Sequence, residues 1–149
     1  MKRRGIDGPV KLPGDCPDVS VVIPLFNERD TVPELARRLR ESLERLGRSW
    51  EVIVVDDGST DGSFDALRAV HDQDRRFSVI QLRRNFGQTP AFAAGFDAAR
   101  GHVVVTMDAD LQNDPDDIGK VLSALEDGNL DIVSGWRQDR QEPLLLRRI

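Results

Sequence analysis

The stretch Glu51-Val52-Ile53-Val54-Val55-Asp56-Asp57-Gly58-Ser59-Thr60-Asp61-Gly62 decides the fold. Its first part is β-branched at almost every position, and it stops abruptly at carboxylates and glycine. A run with no polar face suits a strand buried on both sides, as in a parallel sheet, because a half-exposed strand would alternate. Upstream, Val19-Ser20-Val21-Val22-Ile23 repeats the pattern, and Pro24, lacking an N–H, is expected to stop its ladder. Between the two runs Val32, Leu35, Leu39, Leu43 and Leu46 recur at helical spacing. Thr31 and Glu34 have the spacing of a capping box, Pro33 falls in the first turn, and Gly47 stands where the helix should end.

Downstream the alternation continues. Phe64, Leu67 and Val70 mark a short helix, and Phe77 to Leu82 reads as a third strand. Thr89 and Pro90 look like an N-cap and first helical residue. The helix they open, Ala91 to Arg100, is rich in Ala and Gly, so it can lie close on a sheet, and Gly101 fits a left-handed stop. His102 to Met107 is a fourth strand. Asp114 and Pro115 open a helix with Ile118, Val121, Leu122 and Leu125 as its buried stripe and Gly128 as its end. Leu130 to Ser134 reads as a fifth strand. This alternation predicts an α/β fold: a mostly parallel sheet with helices on both faces.

The chain has 149 residues, room for one ordinary domain. Residues 1–18, rich in Gly, Pro and charge, are expected to form a flexible leader, and early basic residues without an apolar stretch make no secretory signal. No apolar window is long enough to span a membrane, so a cytoplasmic location is the default expectation. The formal net charge of -5 gives no general attraction to nucleic acid or anionic lipid. The single cysteine, Cys16, excludes an internal disulfide and a multi-cysteine metal site. His71 and His102 lack metal-ligand spacing; His71 is expected at the surface. Neither a dinucleotide glycine fingerprint nor a P-loop is present.

In open parallel sheets ligands bind beyond the carboxyl ends of the strands. Those ends read Pro24-Leu25-Phe26-Asn27-Glu28, Asp56-Asp57-Gly58 and Asp108-Ala109-Asp110-Leu111-Gln112. Like charges gathered on one rim repel unless a cation sits among them, and Mg²⁺ or Mn²⁺ takes oxygen ligands and shares them with phosphates. Asp108 and Asp110 would face the same way on an extended backbone and could hold one such ion. Asp56 or Asp57 could accept a hydrogen bond from a base N–H, while Asp61 and Gly62 suit the turn that follows. A phosphate-receiving signalling domain would also cluster acids around Mg²⁺. It needs a lysine at a strand end, and Lys2, Lys11 and Lys120 are not so placed.

Val22-Ile23-Pro24-Leu25-Phe26-Asn27-Glu28, Val54-Val55-Asp56-Asp57-Gly58-Ser59-Thr60-Asp61-Gly62 and Met107-Asp108-Ala109-Asp110-Leu111-Gln112, in this order, resemble family 2 glycosyltransferases of the GT-A fold, a Rossmann-like architecture. Arg83-Arg84-Asn85-Phe86-Gly87-Gln88 and Asn113-Asp114-Pro115 are similar to the branch that uses polyprenyl phosphates. The resemblance implies an inverting, metal-dependent transfer of sugar from a UDP- or GDP-linked donor to a polyprenyl phosphate. It implies that Pro24, Asn27 and Glu28 line the nucleotide pocket, Asp57 binds the base and Asp56 lies toward the ribose. Arg84, Asn85 and Gly87 would follow the donor channel. Asp108, Asp110 and Gln112 would hold Mg²⁺ or Mn²⁺, and Arg137, with Arg140, would meet a phosphate. Residues 19–136 would be the nucleotide-sugar-binding catalytic domain and 137–149 the start of an acceptor-side, membrane-proximal segment. Family members continue further, so the expectation is a domain that binds donor but transfers sugar poorly. The full-length protein would then sit at the cytoplasmic face of the membrane. A family 2 enzyme with a glycan or protein acceptor, or a nucleotide-sugar-binding module without catalysis, is the alternative.

Overall fold

A computed structural model describes residues 16–135 of the chain. β1 (Val19–Leu25), β2 (Trp50–Asp56), β3 (Phe77–Gln81) and β4 (Val103–Thr106) pair in parallel in the order β3-β2-β1-β4. α1 (Val32–Arg45), α2 (Ser63–Gln73), α3 (Gln88–Ala98) and α4 (Asp117–Asp127) fill the connections. The handedness of crossovers explains which face each helix covers. The sheet grows from β1 through β2 to β3, then returns past β1 to β4, so a right-handed path must place α3 opposite α1 and α2.

The alternation of side chains along each strand shows this directly. Val19, Val21, Ile23 and Leu25 of β1, with Val52 and Val54 of β2, pack against Leu35, Leu39 and Leu43 of α1, Leu67 of α2 and Ile118 and Leu122 of α4. The intervening Val22, Ile53 and Val55 point the other way, against Ala91 of α3. α3 lies so close that a Cβ on Gly95 would run into Val22 Cγ1 and stand 3.3 Å from Val55 Cγ2. The small residues of that helix are therefore what the close packing requires, as the sequence suggested.

Several boundaries differ from expectation. β1 does not stop at Pro24 on both sides: Pro24 still pairs with Val55, and Leu25 with Asp56. Val22 accepts from the Met107 N–H at 3.2 Å, so Pro24, two residues on, turns its ring nitrogen toward β4, where the ladder has ended at Thr106. Its missing N–H thus ends pairing with β4 while pairing with β2 continues. The capping box does not form. The Thr31 hydroxyl turns back to Glu28, donating to its carbonyl at 2.8 Å, and Glu34 is taken by Arg37 and Arg38.

α3 begins at Gln88, so Thr89 and Pro90 lie inside its first turn, and it ends before Arg100. Arg100 is drawn out of the helix by Glu51, which accepts its backbone N–H at 2.8 Å and its guanidinium at 2.7 Å. Burial opposes the charge on Glu51, but the bonds from Ser20 and Arg100 outweigh it and leave the carboxyl below its ordinary range. Gly101 is not left-handed; it passes beside β1, and a Cβ there would stand 2.6 Å from Ser20 Oγ.

No fifth strand forms over Leu130–Ser134; among the described residues the sheet ends at β4. The chain instead folds back on the end of α4. Asn129 is left-handed and the Leu130 N–H is used on the Leu125 carbonyl at 2.9 Å, which leaves Ile132 exposed. The open flank of β4 lines a groove of about 930 Å³ floored by Val103, Val105, Ile118 and Leu122. Residues 1–15 of the expected leader lie outside the described residues, and its end is tied to the sheet: Pro17 and Asp18 carbonyls accept from His102 and Val103 at 3.2 and 3.1 Å. His71 is half-buried rather than free at the surface, with Nδ1 2.6 Å from the Phe77 carbonyl oxygen.

Candidate functional site

The strand order reverses between β1 and β4, the place where an open α/β sheet forms a crevice. The last β1–β4 pair is Val22 with Thr106, whereas β1 stays paired with β2 as far as Leu25. Beyond those ends lie Phe26 to Glu28, Asp56 to Asp61 and Met107 to Gln112. This reversal point, outside the carboxyl ends, is where open α/β sheets place ligands.

Two of these loops are stitched together. The Asn27 N–H donates to Ser59 Oγ at 2.8 Å, and Asn27 Oδ1 accepts the Thr60 N–H at 2.9 Å. The Glu28 N–H donates to Ser63 Oγ at 2.9 Å and the Arg29 N–H to Asp61 Oδ2 at 3.1 Å. The Ser63 hydroxyl, with these backbone bonds, holds the Asp61 carboxyl below its ordinary value. The Glu28 carboxylate accepts from the Thr31 hydroxyl at 3.0 Å. Asn27 and Glu28, expected to line a pocket, thus each use one side-chain oxygen, Oδ1 and Oε2, to hold these loops in place. Asn27 achieves this with a left-handed backbone, φ 53°.

Asp56 and Asp57 are both buried, but they are bonded differently. Asp56 Oδ1 accepts the Ser59 N–H at 3.0 Å, while Oδ2 is buried with no partner. Asp57 uses both oxygens: Oδ1 accepts the Phe86 N–H and Oδ2 the Gly87 N–H, each at 2.8 Å. Asp57 is therefore bound to the loop after β3 instead of standing free for a base. Arg84 and Asn85, on that loop, are exposed, and the Arg84 guanidinium lies 4.7 Å from the Phe86 ring centroid.

The loop leads straight to the other acidic end. Gln88 follows Gly87, and its Nε2 donates to Asp108 Oδ1 at 3.0 Å. Asn113 Nδ2 reaches Asp108 Oδ2 at 3.4 Å. Ala109 is buried between half-buried Asp108 and exposed Asp110. Asp110 Oδ1 accepts the Gln112 backbone N–H at 3.0 Å, and Leu111 turns the chain with φ 61°. Among the described residues, no Lys or Arg makes an ion pair with Asp108 or Asp110, whereas carboxylates such as Glu51 and Asp74 are paired with arginines.

A divalent ion fits this donor set in part. Two hard carboxylates without a counter-cation are what Mg²⁺ or Mn²⁺ takes, but among the described residues no three His, Cys, Asp or Glu side chains gather. Such an ion would need oxygens from its ligand, as in sites that share the metal with phosphates. Gln88 and Asn113 touch Asp108 and were not expected in the site. Gln88 sits in the Arg83–Gln88 run that the sequence singled out, and its place directly after Gly87 was the available signal. Gln112 contributes its backbone to Asp110. Arg137 and Arg140, and the whole segment 137–149, lie outside the described residues.

Comparison with known proteins bears on the family and the fold. A family model described as glycosyl transferase family 2 matches residues 20–148. The chain is 43% identical over 147 residues to a dodecaprenyl-phosphate galacturonate synthase from Rhizobium johnstonii, covering 98% of this chain and 42% of that protein. It is 42% identical over 127 residues to an undecaprenyl-phosphate 4-deoxy-4-formamido-L-arabinose transferase from Salmonella paratyphi B, covering 85% of this chain and 38% of the relative. The chain therefore spans less than half the length of these relatives. Among solved structures, a mannosyltransferase from Pyrobaculum calidifontis in complex with GDP-Man and Mn²⁺ superposes with a TM-score of 0.65 at 28% identity. That superposition covers 76% of this chain and 33% of that one.

Proposed function

This chain belongs to glycosyl transferase family 2, and from that premise we propose that it binds a nucleotide-sugar donor and directs the sugar to a polyprenyl phosphate. The observation that carries the proposal is the continuous line of contacts from Asp57 through Gly87 and Gln88 to Asp108. It joins the ends of β2 and β4 into one rim at the point where the strand order reverses. Relatives named for dodecaprenyl- and undecaprenyl-phosphate products support the acceptor class. A neighbour holding GDP-Man and Mn²⁺ supports the donor class and the ion.

The residues divide the work as follows. Pro24 and the stitched Asn27–Glu28 loop form one wall of the nucleotide pocket. Asp56, with a carboxylate oxygen lacking a partner, accepts a hydrogen bond from the base or ribose. Arg84 and Asn85 lie along the donor's path. Asp108 and Asp110 would hold Mg²⁺ or Mn²⁺, whose charge offsets that building on the departing diphosphate. In the transfer, a phosphate oxygen of the acceptor forms a bond to the anomeric carbon while the bond to the nucleoside diphosphate breaks. The acceptor oxygen attacks the face opposite the leaving group, which departs with the electron pair, so the configuration inverts. The acceptor oxygen is already ionised at neutral pH, so no side chain need remove a proton. Arg137 is assigned to a phosphate of donor or acceptor, where a guanidinium fork fits.

A polyprenyl acceptor places the reaction at a membrane surface, and we assign the cytoplasmic face, where nucleotide sugars are made. Among the described residues no helix is long and apolar enough to cross a membrane. The test is calorimetric titration with UDP and GDP, with and without Mn²⁺, followed by a transfer assay offering a short polyprenyl phosphate or a glycan. Metal-dependent binding lost in Asp110→Ala supports the donor site; binding indifferent to Mn²⁺ and to Asp110→Ala refutes it. Turnover on the glycan alone would move the acceptor away from polyprenyl phosphate.

A further inference from the structure

We propose that Asp57 is a positioning residue: by holding the Phe86 and Gly87 N–H groups it sets Gln88 against Asp108, and so ties the nucleotide end of the crevice to the diphosphate end. This rests on the donor-site reading above. It gives Asp57 a different task from base recognition.

Three features of the structure carry it. First, the carboxylate has both oxygens committed, each at 2.8 Å, to consecutive backbone N–H groups, and the side chain is 4% exposed. Charge-assisted bonds of this kind are roughly twice as strong as neutral ones. Second, the loop is pressed from its other end. Gly58 sits so near Arg84 that a Cβ would stand 2.6 Å from Arg84 Cα and 2.7 Å from the Asn85 nitrogen. Arg84 to Gly87 is thus fixed between Gly58 and Asp57. Third, Gly87 is the residue from which α3 starts, so the clamp fixes the first turn of that helix. Gln88, the first residue of α3, then reaches Asp108 Oδ1 at 3.0 Å. The neighbouring Asp56, with its unpartnered oxygen, remains to accept from a ligand.

The consequence is coupling. Outer partners that orient a metal-binding carboxylate typically change metal affinity about 10–100-fold when removed. Both Asp57 oxygens are taken by backbone N–H groups, so it would act on the ion through the residue that orients Asp108 and not as a ligand. Nucleotide contacts near Asp56 and Arg84 bear on the same loop, so ion and nucleotide each strengthen the other's binding through it.

The experiment uses the whole chain, with UDP, GDP and Mn²⁺ as probes. Asp57→Asn keeps one acceptor and turns an NH₂ group toward the other N–H, so the clamp loses half its bonds. In the protein without ligand or metal, ¹⁵N NMR should show faster amide exchange at Phe86 and Gly87 and a shift of the Gln88 side-chain amide resonances. In titrations, the factor by which Mn²⁺ tightens nucleoside diphosphate binding should fall about tenfold in Asp57→Asn and in Gln88→Ala. The two losses should not add, so Asp57→Asn on the Gln88→Ala background should change the factor little.

A merely structural role would leave the Mn²⁺ factor in place. A base contact would weaken nucleotide binding without metal and leave the factor unchanged. Either result, or strictly additive losses, overturns the proposal. If Asp57→Asn fails to fold, Gln88→Ala decides: an unchanged Mn²⁺ factor refutes it. A wild-type chain that binds no nucleotide would overturn the donor site itself. The NMR arm, run without ligand, still decides whether Asp57 sets Gln88: an unmoved Gln88 resonance in Asp57→Asn refutes the link.

Discussion

Replacing Gly58 with alanine tests the geometry of the crevice at its tightest point. Gly58 has φ +73°, and a Cβ added there would lie 2.6 Å from Arg84 Cα and 2.7 Å from the Asn85 nitrogen. Two costs follow. An L side chain in the left-handed region costs about 1–2 kcal/mol. Forcing atoms into filled space adds about 1–3 kcal/mol, with little relief because the obstacle is backbone and not a flexible tip. Gly58→Ala should therefore lose about 2–5 kcal/mol, a large part of the roughly 5–15 kcal/mol that holds a domain together. Gly47→Ala is the control: its φ is +64°, but nothing lies within 4 Å, so only the conformational part applies, about 1–2 kcal/mol. Urea unfolding followed by circular dichroism gives both values. Equal losses for the two variants would show that the Asp56–Gly58 turn does not press on the loop after β3, and the coupled crevice would lose its support.

Other expectations concern the frame that holds this crevice. Asp74 is held at about 2 by hydrogen bonds led by Arg76 and joined by Arg40, against an ordinary 3.8. A carboxyl depressed on folding stabilises above its unfolded value and loses that contribution as pH falls through its folded one. Asp74→Asn should therefore cost about 1–2 kcal/mol near pH 6, reduced from the full linkage value because Arg76 is half-exposed, and the gap should close by about pH 2; a gap independent of pH in urea titrations refutes this. Ser42→Ala removes a buried bond to the Pro115 carbonyl at 2.7 Å, which then keeps only the Ile118 N–H at 3.1 Å, and so loosens the tie between α1 and the segment entering α4. It should lower the unfolding free energy by about 0.5–1.5 kcal/mol, and a change within error would mean that the Ile118 N–H alone satisfies that carbonyl.

β1, β2 and the close-lying helix were legible because the pattern that specifies them is local: unbroken β-branched runs become strands buried on both faces, and Ala-Gly spacing becomes a helix lying close on the sheet. Val103–Thr106, equally β-branched, forms the edge of the described sheet with Val104 exposed. Leu130-Asp131-Ile132-Val133 looked like a fifth strand and formed none, because the Asn129 turn and the Leu130 N–H close the end of α4 first. Thr31 and Glu34 had the spacing of a capping box, but Glu28 and the arginines of α1 are nearer partners for them. The acidic ends of the site were legible from their places at strand ends. The division of labour between Asp56 and Asp57 was not. It depends on which carboxylate meets a loop 30 residues further on, a contact that no local pattern encodes. Gln88 escaped notice for the same reason, since its partner Asp108 lies 20 residues away.

The central claim is that separate strand ends converge on one ion and one nucleotide. Paramagnetic broadening of backbone amide resonances by Mn²⁺, in the presence of UDP or GDP, tests it most directly. Broadening centred on Asp108 to Asp110 that extends to Gly87, Gln88 and Gly58, and spares the Glu51–Arg100 end of the sheet, is the predicted outcome. Broadening centred instead on the acidic turn at Asp114 to Asp117, or none above that of free Mn²⁺, would contradict it.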